Sequence, residues 1–174
     1  MINVYFIVAV FLLLVLSLIV FYPKKKLKKN SHRRRIKRGE KILLILNSFE
    51  HDGAKINYLK KIDPFVFEEL ILSAFEKKGY RIKRNKRYTG DGGIDGIVYD
   101  QNKRSFLIQC KRYKDHIKKQ DLIEFKELIK SKNFDGGYFC HTGRTSKTSL
   151  FNYRESNLHI LSGDKLIKLI TSNN

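Results

Sequence analysis

An aspartate, a glutamine and a lysine, carried on two neighbouring apolar segments, are between them equipped to hydrolyse a phosphodiester. Asp95 lies in Ile94-Asp95-Gly96-Ile97-Val98, and Gln109 and Lys111 lie in Leu107-Ile108-Gln109-Cys110-Lys111-Arg112. Side chains alternate along an extended strand, so Gln109 and Lys111 share one face while Cys110 points the other way, into a core. The Asp95 carboxylate, the Gln109 amide oxygen and the Cys110 backbone carbonyl are hard oxygen donors. Mg2+ favours such a sparse set and keeps several waters, with Mn2+ as its substitute. A cation held there activates water and offsets charge developing on phosphate oxygens. Lys111 can orient or deprotonate that water, or neutralise the phosphate. A carboxylate on an apolar strand is costly without a partner, which favours a site role for Asp95, and the same logic holds for Gln109. Lys111 alone would read as part of a solvated basic patch with Arg112 and Lys114; beside the other two it reads as catalytic.

The elements that must position these residues follow from the pattern around them. Asp100-Gln101-Asn102-Lys103 is a polar turn, so residues 94–99 and 105–112 form a hairpin that sets Asp95 beside Gln109 and Lys111. Before it, Asp63 and Pro64 start a helix whose apolar face is Phe67, Leu70, Ile71, Ala74 and Phe75, closed by Gly79. A first strand is expected over 80–86, followed by a Gly-rich loop. After the hairpin come a helix over 118–130, a buried strand over 137–141, a helix over 145–155, a short strand over 158–161 and a closing helix over 164–170. The order α-β-β-β-α-β, then α-β-α, predicts an α/β fold with a mixed sheet flanked by helices.

At these residues the chain resembles a known family. Asp91-Gly92-Gly93-Ile94-Asp95-Gly96-Ile97, followed after a hairpin by Leu107-Ile108-Gln109-Cys110-Lys111-Arg112, is similar to the catalytic domain of Mrr-type restriction endonucleases, of the PD-(D/E)xK nuclease superfamily. The resemblance covers roughly residues 63–170. It implies the restriction-endonuclease-like fold and DNA cleavage, with Asp95 as the metal-binding acid, Gln109 as the second ligand in place of the superfamily's second acid, and Lys111 as the catalytic lysine. Glu68 matches the first-helix acid that often joins such sites, although a helical Glu otherwise reads as a solvated-face residue. Tyr138-Phe139-Cys140-His141-Thr142 with Gly143-Arg144 matches the family's strand and turn. Ser149-Leu150-Phe151-Asn152 departs from the family's small-residue helix.

Some positions carry two readings. Asp91 is a second acid near the metal or a loop residue capping a turn. Gln120 supports the site from the next helix or faces solvent. His141 reads as a structural residue at a strand end. Arg84, Lys86, Arg87, Arg112, Lys114 and Arg144 are expected to line a DNA groove through phosphate contacts, which position rather than specify.

Outside this domain the signals are hydropathy and charge. Residues 2–22 are 21 positions without a charged side chain, about the length of a membrane-spanning helix. Pro23 is expected to end that run. No basic residue precedes it and no small-residue cleavage site follows, which favours a retained anchor over a signal peptide. Residues 24–38 carry ten basic side chains and no acid. Positive charge after the helix places the following domain in the cytoplasm, at the cytoplasmic membrane. The basic run reads as a juxtamembrane segment on anionic headgroups or as a DNA-binding arm, and the two uses are compatible. The expected organisation is an anchor over 1–23, a polybasic linker over 24–40, a helical connector over 41–62 and the nuclease-like domain over 63–174. Lys and Arg number 36 against 17 Asp and Glu, a formal +19, which suits polyphosphate or anionic lipid partners. Cys110 and Cys140 form no metal or disulfide motif and read as reduced buried thiols.

The expected partners are double-stranded DNA, the membrane and a second copy of the chain, since cutting two strands often takes two sites. Two other classes compete: a non-catalytic module tethering DNA to the membrane, and a lipid-binding scaffold. The second explains residues 1–38 but not the convergence of Asp95, Gln109 and Lys111.

Overall fold

The first helix, α1, runs from Val4 to Asn47 in a computed structural model that describes residues 4–85 and 93–171, with the side chains of 19–30 set apart. Pro23, expected to end the first apolar run, lies inside this helix. Proline fixes φ near the helical value and removes one backbone donor, so the helical assignment passes it at the cost of a hydrogen bond. The chain divides into two units, residues 1–35 and 36–174. In the first, the large apolar side chains described from Val4 to Leu18 are exposed. Among the described residues, no helix is long and apolar enough to cross a membrane. The described side chains of that apolar run cover 15 positions, 4–18, against the ~20 that a span needs. The span expected over 2–22 therefore takes in residues outside them.

The second unit starts within α1 and continues through α2 (Asp52–Leu59), α3 (Pro64–Lys77), β1 (Arg81–Arg84), β2 (Gly96–Tyr99), β3 (Ser105–Lys111), α4 (Lys119–Ser131), β4 (Gly136–His141), α5 (Lys147–Asn152), β5 (Leu158–Leu161) and α6 (Gly163–Thr171). The strands form one sheet in the order β1-β2-β3-β4-β5. The first three are antiparallel and the last three parallel, so the expected mixed sheet is present. α3 begins as its sequence dictates: the Asp63 carboxylate accepts from the Val66 amide at 3.1 Å, Pro64 is the first helical residue, and Gly79 leaves the helix at φ +85°. α5 is shorter than the expected 145–155. Ser146 caps it by accepting from the Ser149 amide at 3.1 Å.

Helices cover both faces of the sheet. On one face α3 and α6 bury Phe67, Leu70, Ile71, Phe75, Leu166 and Ile170 against Val98, Phe106, Ile108 and Cys140. Ile42, Leu43, Leu46 and Leu59 join the same core, so the helical connector over 41–62 packs on the main domain. Gly39 permits this approach, since a Cβ there would lie 2.9 Å from the Leu70 backbone nitrogen. On the other face α4 packs Leu122, Phe125 and Ile129 over Leu107, Phe139, Leu158 and Ile160. Burying each of these side chains contributes about 1.5–3 kcal/mol. This double cover holds β3 rigid along the stretch that carries Gln109 and Lys111.

Candidate active site

Asp95 is the residue just before β2, and β3 holds it by two bonds. Its amide donates to the Ile108 carbonyl at 2.9 Å, and its carboxylate accepts from the Cys110 amide at 2.6 Å. The N–H and C=O of one extended residue point to the same side of a strand, so the Cys110 carbonyl opens toward Asp95 as well. Lys111, two residues on from Gln109 at the end of β3, emerges on the same face. The Lys111 ammonium makes no hydrogen bond or ion pair among the described residues and is half-exposed.

Gln109 supplies the sharpest observation. It is 9 % exposed, and its Oε1 is buried with no hydrogen-bond partner among the described residues. Leaving a buried acceptor unmade costs about 1–3 kcal/mol, and native structures keep few of them. On its other side the amide abuts Gly93. A Cβ at Gly93 would stand 2.5 Å from Gln109 Nε2, and Gly93 holds φ +87°, a conformation that favours glycine. The amide is thus packed on its nitrogen side and unsatisfied on its oxygen side. A carboxylate, an unsatisfied amide oxygen and a carbonyl on adjacent strands are a donor set that fits a hard divalent cation. Among the described residues, no group of three or more His, Cys, Asp or Glu side chains could hold a metal, so any such ion would rest on this mixed oxygen set.

Glu68 is half-buried on α3 and reaches the same place electrostatically. The Cys110 thiol is pushed well up from its ordinary pKa, first by burial, then by its hydrogen bond to Cys140 and that thiol's charge, and then by the Asp95 and Glu68 carboxylates. Both acids therefore act on the residue between Gln109 and Lys111.

The basic residues expected to line a groove are not one set. Arg84 turns to α3, pairing with Glu69 at 3.1 Å and Glu76 at 2.7 Å and bonding Ser73 at 3.3 Å. Arg112 donates to the Lys60 carbonyl at 3.1 Å. Lys114 and Arg144 are exposed and lie on segments that pair, the Arg144 amide bonding the Asp115 carbonyl at 2.7 Å. Lys86, Arg87 and Asp91 lie outside the described residues. Gln120 donates to Glu124 at 3.1 Å along an exposed turn of α4.

His141, the register partner of Lys111 on β4, is fully buried. Burial lowers its pKa to about 4, and its Nε2 lies 3.0 Å from Thr145 Oγ1. It is a neutral, structural imidazole. The bond from the Tyr113 hydroxyl to Asp121, which ties the end of β3 to α4, has no sequence signature. Nor does the seat of Gly93 on Gln109, because composition marks a glycine loop without saying what it touches.

The family model for Mrr-type restriction endonuclease matches residues 59–170. Among solved structures, the MspJI restriction endonuclease in complex with a 27-mer oligonucleotide is similar, with a TM-score of 0.52 and 20% identity over 70% of this chain and 31% of that one. This chain thus spans about a third of that structure's length, and the likeness is one of fold. No curated protein matches the chain.

Proposed function

This chain belongs to the Mrr-type restriction endonuclease family, and on that footing we propose that it is a divalent-metal-dependent DNA endonuclease acting through Asp95, Gln109 and Lys111. The observation that carries the proposal is the buried, unsatisfied Gln109 Oε1 beside a carboxylate fixed by the Cys110 amide. Asp95, Gln109 Oε1 and the Cys110 carbonyl would hold Mg2+, with Mn2+ its substitute, and Glu68 would add negative charge from α3. A bound divalent ion supplies Lewis-acid polarisation of the phosphodiester. Lys111 meets the scissile phosphate and neutralises charge that grows on it during attack by water. Lys114 and Arg144 contact flanking phosphates, and the formal +19 draws the polyanion in without selecting sequence. The DNA-bound state of the MspJI structure is consistent with such a substrate.

Nicking of supercoiled plasmid by the full chain in detergent tests this reading. Cleavage is expected with Mg2+, none with EDTA, and at least a hundredfold loss in Asp95→Ala and in Lys111→Ala while DNA is still retained in a gel shift. Equal nicking by these variants would overturn the site. DNA binding with no nicking under any divalent ion would leave the non-catalytic tether instead.

The same proposal includes attachment to the cytoplasmic membrane through residues 2–22, with the basic run 24–38 on anionic headgroups at about 1 kcal/mol per residue near the surface and the nuclease domain on the cytoplasmic side. The uncharged sequence of 2–22 and the exposed apolar side chains from Val4 to Leu18 support it. Deleting residues 1–23 should move the chain from the carbonate-resistant membrane pellet to the supernatant. A full-length chain already in the supernatant would refute the anchor.

A further inference from the structure

A second polar site stands at the far edge of the sheet. Tyr138, Tyr153, Arg154, His159, Leu161 and Lys165 contribute to the wall of a pocket of about 230 Å³ beside β5, the strand that ends the sheet order. Its composition is one-sided. Two cations line it, and none of its described lining residues is acidic. Neither Arg154 nor Lys165 makes an ion pair among the described residues, so both cations are available to an anion in the pocket. Aromatic faces complete the wall. The His159 ring lies tilted against Tyr138, at 5.1 Å with 32° between planes, and Tyr153, whose ring has Lys126 Nζ over it at 5.8 Å, also lines the wall. Burial, then Lys165 and Arg104, hold His159 below its ordinary pKa, so its ring is a neutral stacking surface with a hydrogen-bonding edge.

Unpaired cations next to π-faces suit a ligand that is an anion at one end and an aromatic ring at the other. Bases stack on aromatic side chains without regard to sequence, and arginine is suited to phosphate through its planar fork. The volume lies below the ~300–1,000 Å³ of drug-sized ligand sites, which limits the occupant to one small unit. We propose that this pocket binds a single nucleotide unit, its phosphate on Arg154 and Lys165 and its base against Tyr153, Tyr138 and His159. The pocket lies beside β5, whereas Gln109 is on β3, and β4 stands between the two in the sheet order. The pocket is therefore separate from the cleavage site, and the proposal stands whether or not the chain cuts DNA.

Titration calorimetry on the full chain in detergent, with deoxyadenosine monophosphate as probe, tests it. Saturable binding is expected, with at least a tenfold loss in Arg154→Glu and in Lys165→Glu, both exposed positions where folding should survive, and at least a tenfold preference over deoxyadenosine and over inorganic phosphate. Tyr153→Phe should bind as the parent does. A 5′-phosphorylated trinucleotide separates the two sources of this chemistry: tighter binding than the mononucleotide identifies a strand end, and equal binding a free nucleotide. Plasmid nicking should be unchanged in the two charge reversals, while Asp95→Ala should keep nucleotide binding. No saturable binding of either probe, or equal affinity in the charge reversals, would overturn the pocket's assignment.

Discussion

The Asp95 carboxylate accepts its hydrogen bond from the backbone amide of Cys110, at 2.6 Å, so the acid is held by the main chain of the strand that carries Gln109 and Lys111. An amide fixes the carboxylate whatever side chain stands at position 110. A charged acceptor on a backbone N–H is also a stronger bond than a neutral one.

Asp95→Asn should therefore fold. An amide oxygen can still accept from Cys110, and the stability change should stay within about 1–2 kcal/mol. Nicking should fall at least a hundredfold, because the change removes the one negative charge of a donor set whose other members, the Gln109 amide and the Cys110 carbonyl, are neutral. Urea denaturation and plasmid nicking on one preparation check both halves, and an active Asp95→Asn would remove the acid from the chemistry.

Gly93→Ala should damage the site more than the fold. The new Cβ meets Gln109 Nε2 at 2.5 Å, and φ +87° disfavours any side chain by about 1–2 kcal/mol. The flexible amide will swing away, taking Oε1 with it. The expected result is a melting-temperature drop of a few degrees with at least a tenfold loss of nicking and a raised Mg2+ requirement. Unchanged metal dependence would mean that the seat on Gly93 does not position Gln109.

Arg84→Met tests the residue that the charge pattern assigns to DNA and the structure pairs with α3. Glu69 is only 2 % exposed, and removing its guanidinium partner should destabilise the domain by about 3 kcal/mol. Lys83→Met, at an exposed neighbour, should stay within about 0.5 kcal/mol. Chemical denaturation compares them; a mild Arg84→Met with weakened DNA binding would restore the groove role.

The pH dependence of stability should carry a term from His141. Its folded pKa, about 4, lies below the unfolded value, so the unfolded chain binds more protons between these pKa values. Stability is then fully present above about pH 6.5 and declines as pH falls toward 4, by about 2 kcal/mol between pH 7 and 5. His141→Gln should lose that part of the slope, which urea melts at the two pH values resolve. An identical slope in both proteins would place the imidazole in solvent contact.

The hairpin, the helix at Pro64 and the pairing of Asp95 with the Gln109 strand were legible because each rests on local signals: a polar turn, an N-cap, a period of two. Two features were not. Pro23 is a local stop signal, yet α1 passes through it, since proline removes a donor but holds φ at a helical value. Arg84 looks like any basic surface residue until the fold sets it against Glu69 and Glu76, 15 and 8 positions away in the chain. Long-range charge pairing leaves no periodic trace in sequence.

Metal binding itself bears most directly on the central claim, and Mn2+ titration by calorimetry of the full chain would measure it. One site is expected in the parent, lost or weakened at least tenfold in Asp95→Ala and in Gln109→Ala, and retained in Lys111→Ala, which nonetheless fails to nick DNA. Equal Mn2+ affinity in all four proteins would contradict an ion held between Asp95 and Gln109.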